Sequence, residues 1–153
     1  NTKGENIALT DEQFKNKVVI VNIMGPWCPN CKDETAYLAE LHNRNNTNGL
    51  EVVALAFDNS EKAVTINKLN KIKSHFGANY DFLIAGKSSK TESIKSLPML
   101  NHIMSYPTSI FIDRKGNIRK IRTGFYGPGT GDYYTRYIEK TNDFVAKLLA
   151  EEL

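Results

Sequence analysis

A β-branched run, Val18 to Ile23, gives way within a few residues to a helix-period pattern, and the chain's two cysteines stand at the change. The junction reads Trp27-Cys28-Pro29-Asn30-Cys31. A run of that kind is expected for a strand buried on both faces of a mainly parallel sheet, so the cysteines fall where such a strand ends and a helix begins. Pro29 suits a first helical turn, because its missing N–H has no intrahelical partner there. Two thiols at this spacing can close a disulfide across one turn and reopen it by exchange. Cys28, at or just before the first helical residue, meets unpaired backbone N–H groups and the positive end of the helix dipole, which favour a thiolate over a thiol. In such motifs the attacking thiol falls from roughly 8.5 to between about 3.5 and 7.5. Cys31, facing inward beneath it, is expected to resolve the mixed disulfide that Cys28 makes with a substrate.

Two other uses of the pair fit less well. A structural zinc needs four ligands, and the three histidines, His42, His75 and His102, stand in no partner pattern such as H-x-x-x-H. A purely structural disulfide would close a loop of two residues, which constrains little of the unfolded chain.

A chain of 153 residues is long enough for one compact domain that buries roughly 68 to 70 % of its unfolded surface, and the expectation is a single domain over residues 1–153. The net charge is +3, with lysine and arginine scattered along the chain, so nothing points to nucleic acid. No apolar stretch approaches the roughly 20 residues of a membrane helix. Glu5 to Leu9 reads as a short strand, the second half of a hairpin whose first half is missing, and suggests a processed or trimmed N-terminus. Anchoring to a membrane would then depend on a segment before Asn1. The cysteines alone do not fix the compartment.

Along the chain, Cys31, Thr35, Leu38 and Leu41 share one face of the helix that follows the cysteines, and Asn43 to Gly49 closes it. Val52 to Phe57 reads as a second buried strand. Ile66, Leu69, Ile72 and Phe76 stripe a second helix, capped near Ser60 and ended at Gly77. Right-handed crossovers place these strands side by side. Tyr80 to Ala85 reads as a third strand and Thr91 to Leu97 as a short helix ended by Pro98. Thr108 to Asp113 and Ile118 to Thr123 flank the turn Arg114-Lys115-Gly116-Asn117 as a hairpin. From near Asp132, Tyr134, Tyr137, Ile138, Thr141, Phe144, Val145 and Leu148 repeat at three and four, the stripe of a helix packed on the sheet.

Tyr106-Pro107 stands directly before the hairpin, where a proline by itself sets the entry of a strand. The whole order, strand, C-x-x-C helix, strand, helix, x-Pro, hairpin and terminal helix, resembles the thioredoxin superfamily. The resemblance implies an α/β thioredoxin fold, a central mixed sheet flanked by helices. It also implies a cis Pro107 that packs on the disulfide and keeps metal from the thiols, and a Tyr106 backbone that pairs with an extended substrate segment. The strand and short helix of Tyr80 to Leu97 are more than a plain thioredoxin has before its proline. That insert, with V-N-I-M-G-P-W-C-P-N-C-K-D-E and S-Y-P-T-S-I-F-I-D-R-K-G-N-I, looks like the TlpA/ResA group of extracytoplasmic thiol-disulfide oxidoreductases. The group is bacterial, periplasmic and typically reducing.

Asp58 follows the second strand at the edge where α/β folds place chemistry. In the group a buried acid near here, often Glu, helps move the proton of the inner cysteine; the shorter Asp58 stands in its place, and burial should raise its pKa. The alternative is a turn or cap residue. Glu34, in the first helical turn, reads as a partner of the helix dipole, Trp27 as a rigid wall beside the site, and His42 and His75 as helix-surface bystanders. The reading is therefore a thiol-disulfide oxidoreductase outside the cytoplasm. It would work through Cys28 and Cys31 with Asp58 as proton carrier, and bind substrate through Trp27, Tyr106 and Pro107. It would need no metal or cofactor beyond its own disulfide, and its partners would be disulfide-containing proteins and an upstream thiol reductant. A peroxiredoxin-like peroxidase would need a lone peroxidatic cysteine in a Thr-containing pocket, and a peptide-binding module would leave the cysteines idle.

Overall fold

Val18–Met24 forms β1, and every one of its residues is buried, as a β-branched strand at the centre of a two-faced sheet requires. The computed structural model describes residues 2, 4, 12–86 and 106–151. Leu50–Phe57 (β2) and Asp81–Gly86 (β3) run parallel to β1, while Thr108–Ile112 (β4) and Ile118–Thr123 (β5) close the sheet in antiparallel fashion, giving the order β3-β2-β1-β4-β5. The helices are Pro29–Asn45 (α1), Lys62–Phe76 (α2) and Asp132–Ala150 (α3). Among the described residues the strands and helices form in the order expected from sequence, and β3 lies at the sheet edge beside β2. The expected strand Glu5 to Leu9, the helix Thr91 to Leu97 and His102 lie outside the described residues.

Alternation along β1 divides the interior. Val18, Ile20 and Met24 join one cluster with Leu38 and Leu41 of α1, Leu69 and Ile72 of α2 and Val145 and Leu148 of α3. Val19, Val21 and Ile23 face the other way and pack with Phe14, Val53, Phe57 and Ile110. Truncating one of these fully buried aliphatic chains to Ala costs about 2–5 kcal/mol, so β1 is fixed in register. That fixes where its C-terminal end delivers the chain. No helix among the described residues is long and apolar enough to cross a membrane.

The cap of α2 and the burial of His42 differ from the sequence reading. The cap of α2 is Glu61, not Ser60, and makes no side-chain capping bond; Ser60 Oγ instead accepts from Lys68 Nζ at 2.9 Å. His42 is not on the surface: it is 3 % exposed, with Nε2 2.9 Å from Glu51 Oε1 and its ring edge-on to Tyr80. The α1 stripe that carries Cys31, Thr35 and Leu38 simply runs one turn further.

Candidate active site: a dithiol over a buried carboxyl

The chain leaves β1 at Met24 and turns through Gly25-Pro26-Trp27 into α1, closed by a hydrogen bond from Cys28 N–H to the Gly25 carbonyl at 3.1 Å. Gly25 is required here, since a Cβ on it would lie 2.4 Å from the Trp27 indole. Cys28 is the N-cap of α1 with Pro29 behind it in the first turn, and its side chain takes the place that Ser or Asp usually fills. Its Sγ accepts the Cys31 backbone N–H at 3.2 Å. The helix therefore offers one of its unpaired donors to the Cys28 sulfur, an arrangement that favours negative charge there. Both thiols are unbridged.

Cys31 is wholly buried. Burial, and after it the Cys28 sulfur, hold its thiol well above the ordinary range, with the Glu34 carboxyl adding to the rise and a backbone hydrogen bond with Gly25 opposing it. The two thiols are thus unlike although both are buried: Cys28 caps the helix, and Cys31 lies deeper with its thiol held in the protonated form.

One turn along α1, Glu34, read from sequence as a partner of the helix dipole, is 1 % exposed and is held by three side-chain donors. Asn22 Nδ2 donates a short hydrogen bond to its Oε1, Ser109 Oγ donates to the same oxygen at 3.0 Å, and Tyr137 O–H donates to Oε2 at 3.2 Å. Asn22 and Ser109 are opposed in the β1–β4 register and bond each other at 3.1 Å. Burial drives Glu34 from an ordinary 4.5 up to about 7; the three donors and the Arg122 charge hold it from rising further. Glu34 is thus a carboxyl that changes charge near neutrality, and its charge is felt by the buried Cys31 thiol.

Asp58 behaves in the opposite way to expectation. It is buried, 8 % exposed, but Lys68 Nζ and Thr65 Oγ1 donate to its Oδ2 at 3.2 and 3.1 Å. Burial pushes it up, yet these hydrogen bonds and the Lys68 charge outweigh burial and leave it below the usual carboxylate range. The expected rise does not occur.

Beside the dithiol, Trp27 is 46 % exposed, and its Nε1–H donates to the Phe57 carbonyl at 3.0 Å. Its ring meets Tyr106 edge-on at 5.0 Å, and Tyr106 in turn meets Phe57, so the expected wall is an aromatic row anchored to the end of β2. Tyr106-Pro107 is cis, and the Pro107 carbonyl accepts from Gly124 N–H at 2.7 Å. On the far side of α1, Asn30 Nδ2 donates to the Phe125 carbonyl at 2.7 Å, tying the segment after β5 to the first turn of the helix. His75 is exposed on α2.

Glu34 was missed although two signals stood in the sequence. Position 34 is in phase with Cys31, Leu38 and Leu41, and Asn22 interrupts a strand buried on both faces, where an amide must find a partner.

A model of the Redoxin family matches residues 1–136. The chain belongs to the Redoxin family. Within the thioredoxin superfamily it stands with the TlpA/ResA-like thiol-disulfide oxidoreductases. It is 30 % identical over 139 residues to the thiol-disulfide oxidoreductase ResA of Bacillus thuringiensis subsp. konkukian, covering 90 % of this chain and 70 % of that one. It is also 30 % identical over 124 residues to ResA of Bacillus subtilis. There the match covers 81 % of this chain and spans 62 % of the relative's length. A thioredoxin-family thiol:disulfide interchange protein from Chlorobium tepidum shares the fold at a TM-score of 0.72 and 20 % identity, over 97 % of this chain and 90 % of that one.

Proposed function

We propose that this Redoxin-family protein reduces disulfides of extracytoplasmic proteins by dithiol exchange. The Cys28 thiolate attacks one sulfur of a substrate disulfide; the other leaves as a thiolate and takes a proton, and a mixed disulfide joins Cys28 to the substrate. Cys31 loses its proton to Glu34 and attacks Cys28, which releases the second substrate sulfur and closes Cys28–Cys31. Two electrons pass to the substrate, and an upstream thiol reductant restores the dithiol. No cofactor beyond the two thiols enters. The aromatic row of Trp27 and Tyr106, continued along the chain by cis-Pro107, receives the substrate segment. The placement outside the cytoplasm, in a bacterial periplasm or envelope, is supported by the likeness to the TlpA/ResA group.

The observation that carries this reading is the asymmetry of the pair: Cys28 caps the helix, and Cys31 lies buried with a titratable carboxyl one turn away. Without Cys31 the mixed disulfide has no internal exit, so Cys31→Ser should accumulate covalent complexes on non-reducing gels, and Cys28→Ser should not. Equal trapping by both variants, or none by either, would refute the mechanism and leave a peptide-binding module.

A further inference from the structure

Tyr137, whose hydroxyl donates to Glu34, also lines a cleft of about 330 Å³ that opens between β5 and α3. Arg122, Tyr126, Tyr133, Arg136, Tyr137 and Lys140 line it, and no acidic side chain does so among the described residues. Arg122 is engaged below, donating to Thr141 Oγ1 at 3.1 Å and lying 4.6 Å over the Tyr137 ring. Arg136 and Lys140 are exposed on successive turns of α3. Asp132, Glu139 and Asp143 share their helix, yet among the described residues no ion pair engages Arg122, Arg136 or Lys140. The neighbouring Lys120 is held below its ordinary range by burial and then by the charges of Arg122 and Lys140, so like charges are gathered at a cleft whose own described lining holds no acidic side chain.

The aromatic side of the cleft is as unusual. Tyr126 is 52 % and Tyr133 60 % exposed, and their rings stack on each other at 5.4 Å. Rigid, half-exposed tyrosines beside arginine are the composition of interface centres, not of ordinary surface. The cleft is also joined to the dithiol. Phe125, next to Tyr126, is bonded through its carbonyl to Asn30 in the first turn of α1, and Gly127 lies so close to that turn that a Cβ would come 2.7 Å from Asp33 Oδ2.

We propose that this cleft docks an acidic segment of the disulfide-bearing protein substrate, with Arg136 and Lys140 pairing its carboxylates and Tyr126 and Tyr133 covering its stems. The inference rests on the exchange reading for the identity of the partner, but the binding itself needs no thiol chemistry. Clustered cations facing carboxylates are a known mode of acidic-motif recognition, and such pairing steers encounter as well as register.

The test uses the full chain in its dithiol form and labelled cysteine-free peptides that differ only in carrying Glu or Lys at the same positions. Fluorescence anisotropy should show the acidic peptide binding about tenfold or more tightly. That advantage should shrink in about 0.5 M salt and vanish in the double variant R136E/K140E. Equal binding of the two peptides, a preference that survives the double variant, or equal affinity for a single-stranded oligonucleotide of the same charge would overturn the proposal. A kinetic arm separates the two readings. The ratio of reduction rates for disulfide peptides with acidic and basic flanks should exceed one and collapse in R136E/K140E. Acidic peptides that bind but are never reduced would strike the exchange mechanism and leave the cleft. Reduction at equal rates without binding would do the reverse.

Discussion

Glu34 and Asp58 are both buried carboxyls, yet they are held in opposite states. Glu34 has only neutral donors, Asn22, Ser109 and Tyr137, in contact with it, and its nearest influential cation, Arg122, acts at longer range; burial wins, and the group is raised to about 7. Asp58 has an ammonium on its Oδ2, and the charge wins; the group is lowered. Burial therefore does not decide the state of an acid. The formal charge of its first neighbour does. The raised carboxyl can exchange a proton near neutrality; the lowered one serves as a fixed anion that ties the start of α2 to the end of β2.

The largest effect should come from Glu34→Gln, which keeps the shape and removes the titration. Reduction of a protein disulfide at neutral pH should fall about 10²-fold, and the pH dependence centred near 7 should flatten; an unchanged profile would break the contrast between the two acids. The same substitution should alter stability against pH. Between its ordinary 4.5 and the folded value of about 7, the folded chain binds a proton that the unfolded chain has lost. Glu34 therefore stabilises the fold fully below about pH 4.5, and stability falls as pH rises, levelling off above about 7. Over that window the fall is about 3 kcal/mol, readable by urea unfolding, and Glu34→Gln should remove it. A smaller shift is expected from Tyr137→Phe. Losing the donor to Oε2 should move the midpoint of the reduction profile upward by about one pH unit; a downward move would mean that Tyr137 does not stabilise the anion. Asp58→Asn should have the least effect. Its lowered carboxyl contributes stability above the ordinary 3.8 that is lost as pH falls through the folded value. With Lys68 41 % exposed, the pair is worth at most about 1 kcal/mol. The reduction profile near pH 7 should not change.

Much of this site was legible in the sequence because its physics is local. The strand that feeds the helix, the cap at Cys28 and the proline behind it depend on neighbours within a few residues, whereas the cis state of Pro107 was implied only by the likeness of the element order to the thioredoxin superfamily. The roles of the acids were not legible, because they depend on contacts across the fold. Glu34 meets Ser109 from 75 residues away and Tyr137 from 103; Asp58 is set by Lys68, ten residues on and brought round only by the helix. An acid early in a helix and an acid at a strand end each have a default reading. Here the fold exchanges them. His42 was misplaced for the same reason, its partner Glu51 lying on the next strand.

The central claim is that the carboxyl which serves the buried thiol is Glu34, and it is tested most directly by following individual side-chain carboxyl carbons by ¹³C NMR through a pH titration of the dithiol protein. Glu34 should titrate near 7 and Asp58 below the ordinary carboxylate range. A Glu34 carbon that titrates at the ordinary value, with Asp58 taking the raised one, would contradict it.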